Sequence, residues 1–104
     1  MAKKRITKAT YLKWYEDMLF WRKFEDMSAA LYIQQKIRGF LHLYNGQEAV
    51  LAGSAFAMEK GDKMITAYRN HVQPIALGED PRRIMAELMG KVTGTSRGKG
   101  GSMH

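Results

Sequence analysis

The chain has 104 residues, 45% of them hydrophobic and 26% charged, which suits one small domain with its own core and excludes both a multidomain chain and wholesale disorder. It contains no cysteine, so disulfide frameworks, cysteine-held metals and thiol nucleophiles are ruled out, and a cytoplasmic location is expected. The net charge is +7, yet all ten acids lie between Glu16 and Glu87 alongside nine bases, so this body carries −1 and the excess sits at the two ends. That distribution argues against a nucleic-acid-binding face, and no apolar run approaches the ~20 residues of a membrane span.

Residues 1–9 read as a basic tail. From Thr10 to Gln35 there is neither Gly nor Pro, and Phe20, Phe24, Met27 and Leu31 recur at helical spacing, which predicts a long helix. Tyr11, Trp14, Met18 and Trp21 trace a second stripe beside the first, so the apolar surface is wide enough to face more than one partner surface. Lys13 with Asp17 and Arg22 with Asp26 are spaced as i,i+4 ion pairs. At 1.5 Å per residue such a helix runs roughly 39 Å, more than a lone globule of this size covers, and points to further protein around it.

Gly39 interrupts the pattern, and the turn signal Asn45–Gly46 leads into a second helix beginning near Gln47 and Glu48. Its body, EAVLAGSAFAM, is rich in small residues that let a neighbour approach closely. Gly61 and Asp62 mark a turn before MITAY, whose β-branched and aromatic content predicts a short strand near 64–68. Tyr68 and Arg69 then fall at the carboxyl end of that strand, the edge where open α/β sheets bind ligands. Asp80 as N-cap with Pro81 behind it starts a third helix, RRIMAELM, closed by Gly90. Residues 91–104 read as a Gly-rich loop; RGKGGS lacks the spacing of GxxxxGK[ST] or GxGxxG, which favours a mobile loop over a phosphate cradle.

The three histidines, His42, His71 and His104, include no pair at the i,i+3 or i,i+4 spacing of helical metal ligands, so no metal site is expected from them. His42 sits in the apolar run FLHLY, where a satisfied core histidine is the ordinary outcome. His71 shares the strand-end location with Tyr68 and Arg69, whose phenol and planar guanidinium suit an anion such as a phosphate.

The succession GFLHLYNGQEAV, ITAYRNH, EDPRRIMAEL and GTSRGKGGSMH resembles the amino-terminal third of the pyruvate dehydrogenase alpha-subunit family, the thiamine diphosphate-dependent decarboxylating component of 2-oxo acid dehydrogenase complexes. The resemblance runs from about Tyr15 to His104 and implies an α/β fold, of which 10–90 would be the mainly helical, amino-terminal part of a thiamine diphosphate-binding domain and 91–104 a truncated Gly-rich loop. It implies that Tyr68 and Arg69 bind the diphosphate side of thiamine diphosphate, that His42 is a catalytic residue meeting the 2-oxo acid substrate, and that His71 is a catalytic residue nearby. His104 receives only a place in the Gly-rich segment.

Within the family, YRNH together with GGSMH favours pyruvate over acetoin or branched-chain 2-oxo acids, and Val72 stands where members often have glycine. The resemblance further implies Mg2+ held by a GDG…N segment downstream of these residues, a beta subunit that contributes to the active site in an alpha2-beta2 assembly, and transfer of the acetyl unit to a lipoyl-bearing acetyltransferase component. These 104 residues alone are therefore expected to show no turnover. The alternative from another class is a non-catalytic module that binds a partner through its aromatic helix.

Overall fold

The computed structural model describes residues 4–103. Four α-helices and a closing 3-10 turn follow in chain order: α1 Lys8–Ile33, α2 Glu48–Ala57, α3 Gln73–Ala76, α4 Pro81–Leu88 and the turn Gly101–Met103. The long axis of the molecule, 44 Å against 25 and 20 Å for the others, is set by α1.

α1 begins earlier than the apolar pattern alone suggests because Thr7 caps it. The Thr7 hydroxyl accepts the Thr10 amide at 3.3 Å while the Thr10 hydroxyl accepts the Thr7 amide at 3.2 Å, a reciprocal box built from two threonines. The helix stops at Ile33, where Gln35 takes a left-handed conformation.

The buried face of α1 is centred on Trp21, Phe24, Glu25 and Ser28, with Trp14 and Met18 packed beside them. This corrects the first predicted stripe in part: Phe24 is in the core, whereas Phe20 and Met27 lie on the exposed flank with Leu12, Tyr15 and Leu19. The helix is apolar on both sides, and periodicity alone does not say which side the chain covers.

α2 packs across α1 through Leu51 and Ala52. Trp14 and Phe56 meet edge to face with centroids 5.3 Å apart, and the Lys4 ammonium donates to the Phe56 and Met58 carbonyls at the end of α2, where a cation suits the helix dipole. Of the two predicted ion pairs on α1, Lys13–Asp17 forms at 2.7 Å. Arg22 turns away from Asp26 and grips Glu48 at the head of α2 instead.

The predicted strand near 64–68 does not form: among the described residues there is no strand. The stretch after Asp62 is irregular, with Ile65 99% exposed and no second strand alongside to complete its hydrogen bonds. Tyr68 and Arg69 also take left-handed conformations, φ 56° and 48°, which end any extended run. The short helix α3, which follows directly, has Pro74 in its first turn and was not anticipated. α4 starts as its sequence predicts, with the Asp80 carboxylate accepting the Arg82 amide at 2.9 Å.

Candidate functional site

Three segments distant in sequence meet beside α3. The turn after α1 brings Phe40 and His42, the irregular run before α3 brings Tyr68, Arg69, Asn70 and His71, and the 3-10 turn brings Ser102 and Met103. Together they line a cavity of about 580 Å3. His42, Tyr68, Arg69 and His71, the four predicted site residues, therefore share one cavity, although 29 positions separate His42 from His71. His104 lies outside the described residues.

Two consecutive non-glycine residues in the left-handed region cost about 1–3 kcal/mol each, and strain of this kind concentrates where function needs it. Here it turns the chain so that Tyr68 and Arg69 both line the cavity. Arg69 is fixed by a 2.7 Å hydrogen bond from Nη1 to the Leu43 carbonyl, which ties this segment to the FLHLY run and leaves other guanidinium N–H groups to point elsewhere. Tyr68 is 80% exposed, and its ring meets the His42 ring edge to face at a centroid distance of 6.3 Å. His42 itself is exposed, so the ordinary expectation of a core histidine does not hold.

His71 is the buried member, 2% exposed. Its Nδ1 lies 2.6 Å from the Ser102 hydroxyl, and its Nε2 is enclosed without a well-formed hydrogen bond. Burial pushes its pKa below the ordinary histidine value; the His42 backbone opposes this and the His42 charge adds to it. The ring is therefore held neutral near pH 7. Val72, the departure from the family pattern, has φ −92° and is fully buried, so a conformation open to any residue accommodates it.

Sequence reasoning missed Ser102 and Glu87. Glu87 lies in the last turn of α4, and its carboxylate accepts the amides of Ser96, Gly98 at 3.1 Å and Gly100 at 3.0 Å. Burial raises its pKa, but the Gly100, Ser96 and Gly98 amides outweigh this and hold it below the usual carboxylate value. The amide cradle that a phosphate would need is thus filled by the chain's own carboxylate, and the Gly-rich segment is a built loop. The hint was an acid in the last turn of a helix just ahead of a glycine-rich run.

A phenol, a guanidinium with spare donors, an exposed imidazole and a neutral buried imidazole around one cavity suit an anionic cofactor carrying a polar substrate. Among the described residues no three His, Asp or Glu side chains converge as a metal site, and no helix is long and apolar enough to cross a membrane.

The model of the dehydrogenase E1 component family matches residues 16–104. The chain is 52% identical over 99 residues to the chloroplastic pyruvate dehydrogenase E1 component subunit alpha-3 of Arabidopsis thaliana, covering 95% of this chain and 23% of that one. It is 48% identical over 104 residues to the pyruvate dehydrogenase E1 component subunit alpha of Rickettsia conorii, covering all of this chain and 32% of that one. The subunit of the same name from Porphyra purpurea is 50% identical over 99 residues, 95% of this chain and 29% of that one. The chain thus spans between 23% and 32% of the length of these relatives. The match begins at Glu16 and takes in all four cavity-lining residues predicted from sequence, and on that ground the chain belongs to the dehydrogenase E1 component family.

Proposed function

We propose that this chain forms part of the alpha subunit of a thiamine diphosphate-dependent pyruvate dehydrogenase, which decarboxylates pyruvate and passes the acetyl unit to lipoyl groups. The observation that carries the reading is the convergence of His42, Tyr68, Arg69 and His71 on one cavity in a chain whose relatives bear the pyruvate dehydrogenase name.

The donors fit the diphosphate end of the cofactor. Arg69, braced on Leu43, presents a fixed fork to phosphate oxygens, and Tyr68 offers a hydroxyl donor beside it. Thiamine diphosphate, when bound, supplies the nucleophile and electron sink for decarboxylation of a 2-oxo acid. His42, exposed and edge to face with Tyr68, meets the substrate carboxylate or moves a proton near it. His71, kept neutral by burial, holds its proton on one ring nitrogen and keeps charge off the inner wall of the cavity. Mg2+ would be held by residues of a downstream segment. The partners are a beta subunit in an alpha2-beta2 assembly and a lipoyl-bearing acetyltransferase component, in the cytoplasm.

The test is reductive acetylation of a lipoyl domain by the assembled enzyme containing this subunit. Pyruvate should be preferred over acetoin and branched-chain 2-oxo acids, and Arg69→Ala should raise the thiamine diphosphate requirement at least tenfold. An Arg69→Ala enzyme with unchanged cofactor dependence would remove the diphosphate role. The exposed apolar flank of α1, with Leu12 and Tyr15 each more than half exposed, favours a second reading of the isolated chain as a partner-binding module without turnover.

A further inference from the structure

Glu87 occupies an electrostatically poor position, because the last turn of a helix carries the negative end of its dipole and disfavours a carboxylate. Its side chain is nevertheless buried, with 3% of the residue exposed, and forms no ion pair among the described residues. What satisfies it is backbone: Oε1 takes the Ser96 and Gly98 amides, and Oε2 takes the Gly100 amide at 3.0 Å. The loop is shaped to this carboxylate. A Cβ on Gly94 would fall 2.6 Å from the Glu87 Cα, and one on Gly101 2.5 Å from its Cγ, so only glycine allows so close an approach.

Two residues beyond the Gly100 anchor is Ser102, in a turn closed by the Met103 amide donating to the Gly100 carbonyl at 2.9 Å. The Ser102 hydroxyl reaches His71 Nδ1 at 2.6 Å. With the Ser102 hydroxyl donating this hydrogen bond, Nδ1 is the acceptor and the neutral ring's own proton sits on Nε2. The path from Glu87 to His71 is therefore continuous: carboxylate, three amides, one tight turn, one hydroxyl.

We infer that Glu87 and Ser102 are positioning residues for His71, Glu87 fixing the Gly-rich loop and Ser102 setting the tautomer and orientation of the ring at the cavity wall. The part His71 plays at that cavity rests on the function proposed above; the coupling of Glu87 to its tautomer does not.

The experiment is imidazole 15N NMR of the purified protein, with amide hydrogen exchange, on the wild type and on Glu87→Gln and Ser102→Ala. In the wild type, His71 should show Nδ1 as a hydrogen-bond acceptor and Nε2 as protonated. Ser102→Ala should shift the His71 Nδ1 resonance and leave His42 unmoved. Glu87→Gln should speed exchange at Ser96, Gly98 and Gly100 roughly tenfold or more, the loss expected when charge-assisted bonds become neutral ones, and should move His71 in the same direction as Ser102→Ala.

A Glu87→Gln protein with fast loop exchange and an unchanged His71 resonance overturns the inference. So does one whose whole helical circular dichroism is lost, since Glu87 would then be a general anchor of the fold. Neither result touches the roles of Tyr68 and Arg69, which the cofactor assay decides separately.

Discussion

Arg22 on α1 and Glu48 on α2, 26 residues apart, meet at two points: Nε to Oε2 at 2.6 Å and Nη2 to Oε1 at 3.0 Å. The fork geometry suits arginine and no other cation. Glu48 is 4% exposed and also accepts the Gly46 amide at 3.0 Å, so the turn Asn45–Gly46 is locked by the same carboxylate. Its pKa is lowered first by the hydrogen bond from Arg22, against the opposing effect of burial.

Arg22→Lys should consequently destabilise the protein although it keeps the charge, and Arg22→Ala should do so more. A double-mutant cycle with Glu48→Gln should show positive coupling; independent effects in urea denaturation would mean that the pair does not join the helices.

Glu25 should make the protein less stable as pH rises. It is fully buried, and neither carboxyl oxygen has a hydrogen-bond partner among the described residues. Burial, with smaller contributions from the charges of Glu48 and Asp26 and some relief from the Tyr44 backbone, raises its pKa to about 7. The folded chain thus keeps a proton that the unfolded chain gives up near pH 4.5. Its favourable contribution is complete below that pH and lost as pH climbs to about 7, a swing of roughly 3 kcal/mol. Glu25→Gln should therefore gain stability relative to wild type between pH 4 and pH 8, and parallel stability curves across that range would contradict the raised pKa.

His71 pulls the other way over a neighbouring window. Its folded pKa is depressed, so the unfolded chain takes up a proton near pH 6.5 while the folded chain resists. That contribution is present above pH 6.5 and lost as pH falls. Proton NMR of the ring should give a midpoint below 6.5 for His71 in the folded protein, with the Ser102 hydroxyl at its Nδ1 and the backbone and charge of His42 acting on it. A midpoint at or above 6.5 would mean that the ring is hydrated.

What the sequence discloses divides by range. The capped helix at Asp80–Pro81 and the Gln47–Glu48 start are set by neighbouring residues, and both form as read. The strand at 64–68 fails because a strand is a relation between two segments, and composition reports only one of them. The pairing of Arg22 with Glu48 in place of Asp26 is likewise a tertiary choice. Of the site, His42, Tyr68, Arg69 and His71 stood out through the blocks around them. Ser102 and Glu87 act through contacts across 31 residues and through backbone amides, which leave little trace in residue type.

Gly46, in the turn before α2, and Gly98, in the Gly-rich loop, offer a graded test of packing against conformation. Gly46 and Gly98 both have positive φ, 88° and 76°, and alanine at either carries the left-handed penalty of about 1–2 kcal/mol. They differ in space: nothing lies within 4 Å of a Cβ on Gly46, whereas one on Gly98 would sit 2.5 Å from the Gly90 carbonyl oxygen. That oxygen belongs to backbone closing α4 and has no rotamer with which to yield.

Gly46→Ala should therefore cost the conformational penalty alone, and Gly98→Ala should add an overpacking cost of about 1–3 kcal/mol. Because Gly98 also donates to Glu87, its variant should speed amide exchange at Ser96 and Gly100 as well. Equal losses of stability in the two variants would show that the loop gives way freely, and that Glu87 does not hold it close-packed against α4.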